Sequence, residues 1–120
     1  MVETVTLYRP VGTEELALIE QSGWKSFPPR LPEQPIFYPV TNREYACQIA
    51  RDWNVRHNAD AKGFVTCFQV QKTEADIYER KVVGAREHEE LWVPAGDLMR
   101  FNQAIVGKIV VTDKFEETDQ

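Results

Sequence analysis

The chain has 120 residues, of which 42% are hydrophobic and 11% aromatic, and its formal net charge is −5. This length and composition predict one folded domain with a hydrophobic core and argue against a disordered chain. The acidic balance argues against non-specific nucleic-acid binding, which needs a basic surface. A run of about 18 apolar residues is absent, which argues against a membrane span. The first residues, MVETVTLYRP, lack a signal-peptide pattern, so a cytoplasmic location is expected.

The first two predicted elements are a strand and a helix. Residues 2–8 alternate polar and apolar side chains and are rich in β-branched residues, which indicates a strand ended by Pro10 and Gly12. Residues 13–22 are predicted as a helix, with Thr at its start as the cap and Gly23 as its terminator.

The next part of the chain is a proline-rich loop followed by a strand and a well-marked helix. The loop SFPPRLPEQP contains four prolines that exclude a regular element, and residues 36–40 are a short apolar strand. Thr41-Asn-Arg-Glu44 has the form of a capping box that starts the helix. Its apolar stripe is expected to face the core and comprises Tyr45, Ala46, Ile49, Ala50 and Trp53.

The second half of the chain predicts mainly strands. GFVTCFQV (residues 63–70) indicates a buried strand, and residues 94–103 indicate a helix with Leu98 and Phe101 inward, closed by Gly107. The remaining segments are a short helix or turn at 72–80 and strands at 81–83, 88–93 and 108–115. Together the elements predict an α+β fold in one domain, residues 1–115, with an acidic tail at 116–120.

Three carboxylates crowd the start of one predicted strand, where Glu87, Glu89 and Glu90 precede the apolar LWVP. Like charges this close oppose one another and resist burial, so the segment is either a solvated strand edge or a functional site. In a strand, Glu87 and Glu89 face one side, whereas His88 and Glu90 face the other.

Metal binding is not expected from the sequence. His57, Asp60 and His88 have no spacing that favours a metal site. Cys47 and Cys67 lie in different predicted elements and suggest neither a disulfide framework nor a metal site, so they are expected to be small free thiols.

The order of several short motifs resembles the ADP-ribosyltransferase superfamily, in particular the catalytic chain of the cholera and heat-labile toxin type. LYR on the first strand is followed by TEELALIEQSGW, FPPR, GFVTCFQV, EHE and IVGKIVV, and the resemblance covers roughly residues 6–111. It implies split mixed or antiparallel β-sheets with short helices. It also implies that NAD is the substrate and that no metal is needed.

The resemblance also implies a set of site residues. Tyr8-Arg9 matches the aromatic-arginine pair whose arginine holds NAD. Glu89 matches the second glutamate of Glu-x-Glu, which hydrogen-bonds the nicotinamide ribose, and Glu87 matches the first, which engages the acceptor. Where the toxin-type family carries Ser-Thr-Ser, this chain has FYPVT, and Tyr38 there is expected to stack on the nicotinamide.

The expected function is therefore transfer of ADP-ribose from NAD to an unknown acceptor, with release of nicotinamide. The acceptor could be a protein side chain, a nucleic-acid end or a small molecule. If the strand register is shifted by one residue, Glu90 replaces Glu89 as the catalytic acid. Two alternatives stay open, namely a binding module of the same fold without NAD chemistry and a small protein-interaction domain.

Overall fold

The computed structural model describes residues 2–54, 62–82 and 88–116, and for Trp53 and Asn54 it describes the backbone only. The strands in this part of the chain are β1 (Thr4–Val11), β2 (Ile36–Phe37), β3 (Lys62–Gln71), β4 (Glu79–Val82), β5 (Glu89–Pro94) and β6 (Ile105–Glu116). The helices are α1 (Thr13–Gln21), α2 (Arg43–Ile49), α3 (Lys72–Ala75) and α4 (Leu98–Gln103). A π-helical turn (Ala50–Asn54) continues α2, and a 3-10 turn (Ala95–Asp97) precedes α4. The predicted α+β class is confirmed.

Two three-stranded antiparallel sheets form the frame, in the orders β1-β3-β6 and β2-β5-β4. The short segment around Val40 joins them. Val40 exchanges two backbone hydrogen bonds with Tyr8 of β1, at 2.9 and 2.7 Å. On its other side, the carbonyl of Pro39 accepts from the amide of Leu91 in β5 at 2.8 Å. This segment therefore holds the first strand beside the strand that carries the acidic residues.

The larger core lies between the sheets and is dominated by aromatic rings. The rings of Phe27 and Phe37 have centroids 5.0 Å apart, and those of Phe27 and Phe68 are 4.9 Å apart. Leu98 and Phe101 of α4 are buried in the same cluster, as predicted. A smaller cluster packs α2 onto β1 and β3 and comprises Val40, Ala46, Ala50 and Val65.

β1 was predicted to be ended by Pro10 and Gly12, and it ends at Val11, directly before Gly12. Pro10 itself does not end the strand, because it lies opposite Val65 in the β1–β3 pairing. Alternate residues of a strand direct their backbone groups to the same side. The backbone amide and carbonyl of Tyr8 point away from β3, because both bond to Val40. The nitrogen of Pro10, two residues further on, also points away from β3, so its missing hydrogen removes no bond between β1 and β3.

Strand β2 is shorter than the predicted 36–40. It ends at Phe37, and pairing resumes only at Val40. Pro39 lies between the two and has no amide hydrogen to donate to a ladder. The interruption leaves Tyr38 38% exposed at the surface.

Helix α2 is capped one residue later than predicted. The Oδ1 atom of Asn42 accepts from the amide of Tyr45 at 3.0 Å, so Asn42 is the N-cap. The hydroxyl of Thr41 donates instead to the Glu89 carboxylate at 2.9 Å. The predicted capping box of Thr41 and Glu44 was therefore wrong.

Among the described residues, two glycines adopt left-handed backbone conformations, and only one of them plays the predicted role. Gly23, with φ of 80°, follows the end of α1 as expected. Gly107, with φ of 78°, lies inside β6 and does not close the preceding helix. It occupies the irregularity where the β3–β6 register shifts between Cys67 and Gln69, a bulge position that favours glycine.

The C-terminal strand is longer than predicted. It runs from Ile105 to Glu116, so Glu116 belongs to the sheet, whereas residues 117–120 of the predicted tail lie outside the described residues. Within the described residues, no helix has the length and apolar character needed to cross a membrane.

Candidate functional site

A cleft of about 380 Å³ opens at the junction of the two sheets, beside α2. Its walls come from β1, from the segment that joins the sheets, from α2 and from β5. The lining residues are Arg9, Pro10, Tyr38, Val40, Ile49, Glu90 and Trp92. The cleft therefore combines a cation, an anion and two aromatic rings.

At the β1 side of the cleft, Arg9 belongs to a cluster of two cations and one anion. Its Nε and Nη2 donate to the two oxygens of Glu15 at 2.7 and 3.1 Å. The Nη2 atom of Arg30 lies 3.4 Å from the same carboxylate. Both guanidinium groups lie over the ring of Phe37, at 4.7 and 5.3 Å from its centroid. Exposure of the three charged side chains is only 14% for Arg9, 18% for Glu15 and 6% for Arg30, so the cluster is largely removed from water.

The charges of this cluster do not cancel. Burial by itself raises the pKa of Glu15, but the neighbouring Arg9 and Arg30 outweigh it, and the pKa lies below its ordinary value. Burial lowers the pKa of Arg30, and Glu15 offsets this only in part. Since arginine stays protonated in proteins, the cluster carries a net charge of about +1 at neutral pH.

On the β5 side of the cleft, Glu90 is held by one donor on each carboxylate oxygen. The hydroxyl of Tyr45 donates to Oε2 at 2.8 Å, and Nε1 of Trp92 donates to Oε1 at 3.1 Å. Burial and the bond to Glu90 raise the pKa of Tyr45 to about 12, so its hydroxyl keeps its proton at ordinary pH. The ring of Tyr45 also stacks on His88, with centroids 4.2 Å apart. The position of the Glu90 carboxylate is thus fixed from two elements.

The outer wall of the cleft is aromatic. Tyr38 and Trp92 meet edge to face, with centroids 5.4 Å apart. On Trp92, the ammonium of Lys81 lies 4.4 Å from the ring centroid, a distance typical of a cation–π contact. Tyr38 is partly exposed on this wall.

The structure brings only some of the predicted site residues together. Arg9 and Tyr38 line one cleft, but the carboxylate that joins them is Glu90. Glu89 is not among the lining residues. It accepts from Thr41 and lies 3.9 Å from Arg80.

The other two predicted residues are not placed in the cleft. The side chain of Tyr8 packs against the small cluster beneath α2, on the face of β1 opposite to Leu7. Glu87 lies outside the described residues, so its predicted role remains a prediction.

The phase of β5 explains why Glu90 and not Glu89 lines the cleft. Leu91 and Val93 are fully buried in the core, and side chains two apart on a strand share a face. Glu89 is therefore in phase with the core residues, whereas Glu90 is in phase with Trp92 on the cleft side. The spacing within EHEE does not decide between Glu89 and Glu90. The alternation of the following Leu91, Trp92 and Val93 does, because it indicates which face of the strand is buried.

Other residues of the site were not predicted. Tyr45 was interpreted only as part of the core stripe of its helix, and Glu15 only as one residue of the predicted helix 13–22. Arg30 lies in the proline-rich loop, where no periodicity indicates a partner. Contacts made across the fold were needed to find all three.

No group of three or more His, Cys, Asp or Glu side chains that could hold a metal ion occurs in residues 2–54, 62–82 and 88–116. His57 and Asp60 lie outside those ranges. Comparison of the chain with protein-family models, with curated proteins and with solved structures finds no match. Function is therefore inferred from the cleft itself.

Proposed function

We propose that the chain is an ADP-ribosyltransferase-like enzyme that binds NAD in this cleft and transfers ADP-ribose to an acceptor, releasing nicotinamide. The observation that carries the proposal is the convergence of Arg9, Tyr38 and Glu90 on one cleft between two sheets. These residues come from segments that are far apart in sequence. They supply a cation, an aromatic ring and a carboxylate, the three groups that this chemistry uses.

Glu90 is the carboxylate proposed to stabilise the reacting sugar. Breaking the bond between nicotinamide and ribose builds positive charge on the ribosyl ring, as in glycoside hydrolysis. A carboxylate about 4 Å from a unit positive charge stabilises it by about 4 kcal/mol at an effective dielectric near 20. This corresponds to roughly a thousandfold in rate.

The reaction is a substitution at ribose C1′. The C1′–N bond breaks, and its electron pair leaves with nicotinamide. A lone pair of the acceptor forms the new bond to C1′, and the acceptor's proton passes to Glu90 or to water. When water is the acceptor, the products are ADP-ribose and nicotinamide, so NAD hydrolysis is a usable assay while the natural acceptor is unidentified.

Arg9 and Tyr38 are proposed to bind the two ends of the reacting half of NAD. A guanidinium forms strong charge-assisted hydrogen bonds to phosphate oxygens. An aromatic ring that stacks on nicotinamide contributes about 1 kcal/mol. At about 380 Å³ the cleft is at the small end of ligand pockets, which suits the nicotinamide ribose and not the whole dinucleotide.

Titration of the protein with NAD by calorimetry, with nicotinamide release followed in parallel, tests this function. The wild type is expected to bind NAD and release nicotinamide, and Arg9→Ala is expected to bind it more weakly. Arg43→Ala is a matched control, because Arg43 makes an equivalent two-bond pair with Asp113 but does not line the cleft. Binding without release would indicate a module that lacks the chemistry, and absence of binding would overturn the proposal in favour of an interaction domain.

A further inference from the structure

The cluster of Arg9, Glu15 and Arg30 has one more cation than its carboxylate can neutralise. Nε of Arg30 is buried and, among the described residues, has no hydrogen-bond partner. Nη1 of Arg9 makes no hydrogen bond to another described residue. Arg9 is also the member of the cluster that lines the cleft.

Arg30 has structural contacts, since its Nη2 also donates to the carbonyl of Pro28 at 3.2 Å, but these leave its charge and its Nε donor unbalanced. The Arg9–Glu15 pair is already joined by two hydrogen bonds and would be neutral alone. Adding a second, almost fully buried guanidinium with an unsatisfied donor is unfavourable, because desolvated charges and donors need partners. An anion bound next to Arg9 would balance the extra charge.

We propose that Arg30 and Glu15 set the positive charge of an anion-binding subsite whose contact residue is Arg9, and that this subsite takes a phosphoryl or diphosphate group. In the proposed reaction, on which this assignment rests, that group is the diphosphate of NAD. Glu15 holds the Nε–Nη2 edge of Arg9 and leaves Nη1 for the anion. Arg30 acts through Glu15 as a positioning residue, because it is not among the residues lining the cleft.

Three variants separate charge from structure. The cluster carries +1 in the wild type, 0 in Arg30→Met, +2 in Glu15→Gln and again +1 in the double variant. A unit charge about 10 Å away at an effective dielectric near 25 changes a binding constant roughly tenfold. The affinity for inorganic pyrophosphate is therefore expected to fall about tenfold in Arg30→Met, to rise about tenfold in Glu15→Gln and to return towards the wild-type value in the double variant.

The titrations are done by calorimetry at a temperature where circular dichroism shows each variant folded. Arg30→Lys keeps the charge, and its affinity for pyrophosphate is expected to lie within about threefold of the wild-type value. It replaces Arg30→Met in the test if Arg30→Met does not fold. Lys72→Met and Asp76→Asn are matched controls, since they change the same charges in a surface pair that lies at the other end of β1. They are expected to leave pyrophosphate affinity unchanged.

The outcomes distinguish this proposal from the catalytic one. If the double variant binds as weakly as Arg30→Met, or if the control variants change affinity equally, the charge assignment is wrong. If wild-type protein consumes NAD but pyrophosphate affinity does not depend on the charge of the cluster, the anion subsite is disproved. The proposed transferase activity is then not disproved. If affinity follows the charge and NAD is not consumed, the subsite is supported and the transferase is disproved.

Discussion

At the scale of single residues, the hydroxyl of Tyr45 is the contact whose removal is most informative. Tyr45→Phe removes one of the two donors to Glu90 and keeps the ring that stacks on His88. Because a hydrogen bond to a charged group is worth about 1.5–3 kcal/mol, turnover of NAD is expected to fall roughly ten- to a hundredfold. KM should change little, since Tyr45 is not proposed to touch NAD. Steady-state kinetics of nicotinamide release measures both quantities.

Tyr78→Phe is the matched control for this prediction. Tyr78 also donates to a carboxylate, that of Glu74 at 2.7 Å, but neither residue lines the cleft. The two variants should lose similar stability, and only Tyr45→Phe should lose turnover. An equal loss of turnover in both would show that Tyr45 acts through general stability.

Arg9 and Tyr38 were predicted at the positions that line the cleft, but the carboxylate that lines it with them was not. An arginine after an aromatic residue and a run of carboxylates both suggest a site from sequence. Which carboxylate enters the cleft depends on the phase of β5, and Leu91 and Val93 fix that phase by being buried. The partners of Arg9 depend on contacts between distant segments, which no local pattern encodes.

At the scale of the elements, the start of α2 gives a stability prediction. Asn42→Ala removes the side-chain cap and is expected to lower the free energy of unfolding by about 1 kcal/mol. Asn42→Asp keeps an accepting oxygen and places a negative charge at a helix N-terminus, so it should be neutral or slightly stabilising. Urea unfolding of both variants measures the difference. Equal losses would contradict the assignment of Asn42 as the cap.

The existence of the elements was easier to predict than their ends. β3 and β5 follow from their apolar or alternating sequences, and α4 follows from its inward Leu98 and Phe101. Pro10 and Gly107 were predicted to end elements but lie inside strands. Their roles could not be predicted, because each depends on the residues opposite in the sheet. Pro10 is tolerated since its nitrogen faces away from β3, and Gly107 serves a bulge against β3.

At the scale of the whole molecule, the ion cluster ties β1, α1 and the proline-rich loop together. The lowered pKa of Glu15 means that its ionised form stabilises the folded state at neutral pH. This stabilisation is lost as the pH falls below the ordinary value of 4.5 and through the folded-state pKa. Glu15→Gln lacks it at every pH, so wild type and variant should differ by about 3 kcal/mol at pH 7 and converge in acid.

Urea unfolding at several pH values between 7 and 3 measures this convergence. Asp76→Asn is the control, because Asp76 forms a half-exposed pair with Lys72 that contributes little to stability. If the difference between wild type and Glu15→Gln stays constant down to pH 3, the ionised carboxylate does not stabilise the folded state.

The convergence of Arg9 and Glu90 is a property of the whole fold. It depends on the segment at Val40, which pairs with β1 on one side and with β5 on the other. The segment was predicted as part of one strand, but its pairing with two different sheets depends on residues distant in sequence and could not be predicted.

The most direct test of the proposed function is the rate of nicotinamide release by Glu90→Gln compared with Glu89→Gln. Both changes are nearly isosteric and remove one negative charge, on neighbouring residues that face opposite sides of β5. Since the charge of Glu90 is needed mainly as the ribosyl cation develops, Glu90→Gln should lose turnover by roughly a thousandfold and retain most of its NAD affinity. Glu89→Gln should turn over NAD at close to the wild-type rate. Loss of turnover in Glu89→Gln with a normal Glu90→Gln, or normal turnover in both, would contradict the assignment of Glu90 as the catalytic carboxylate.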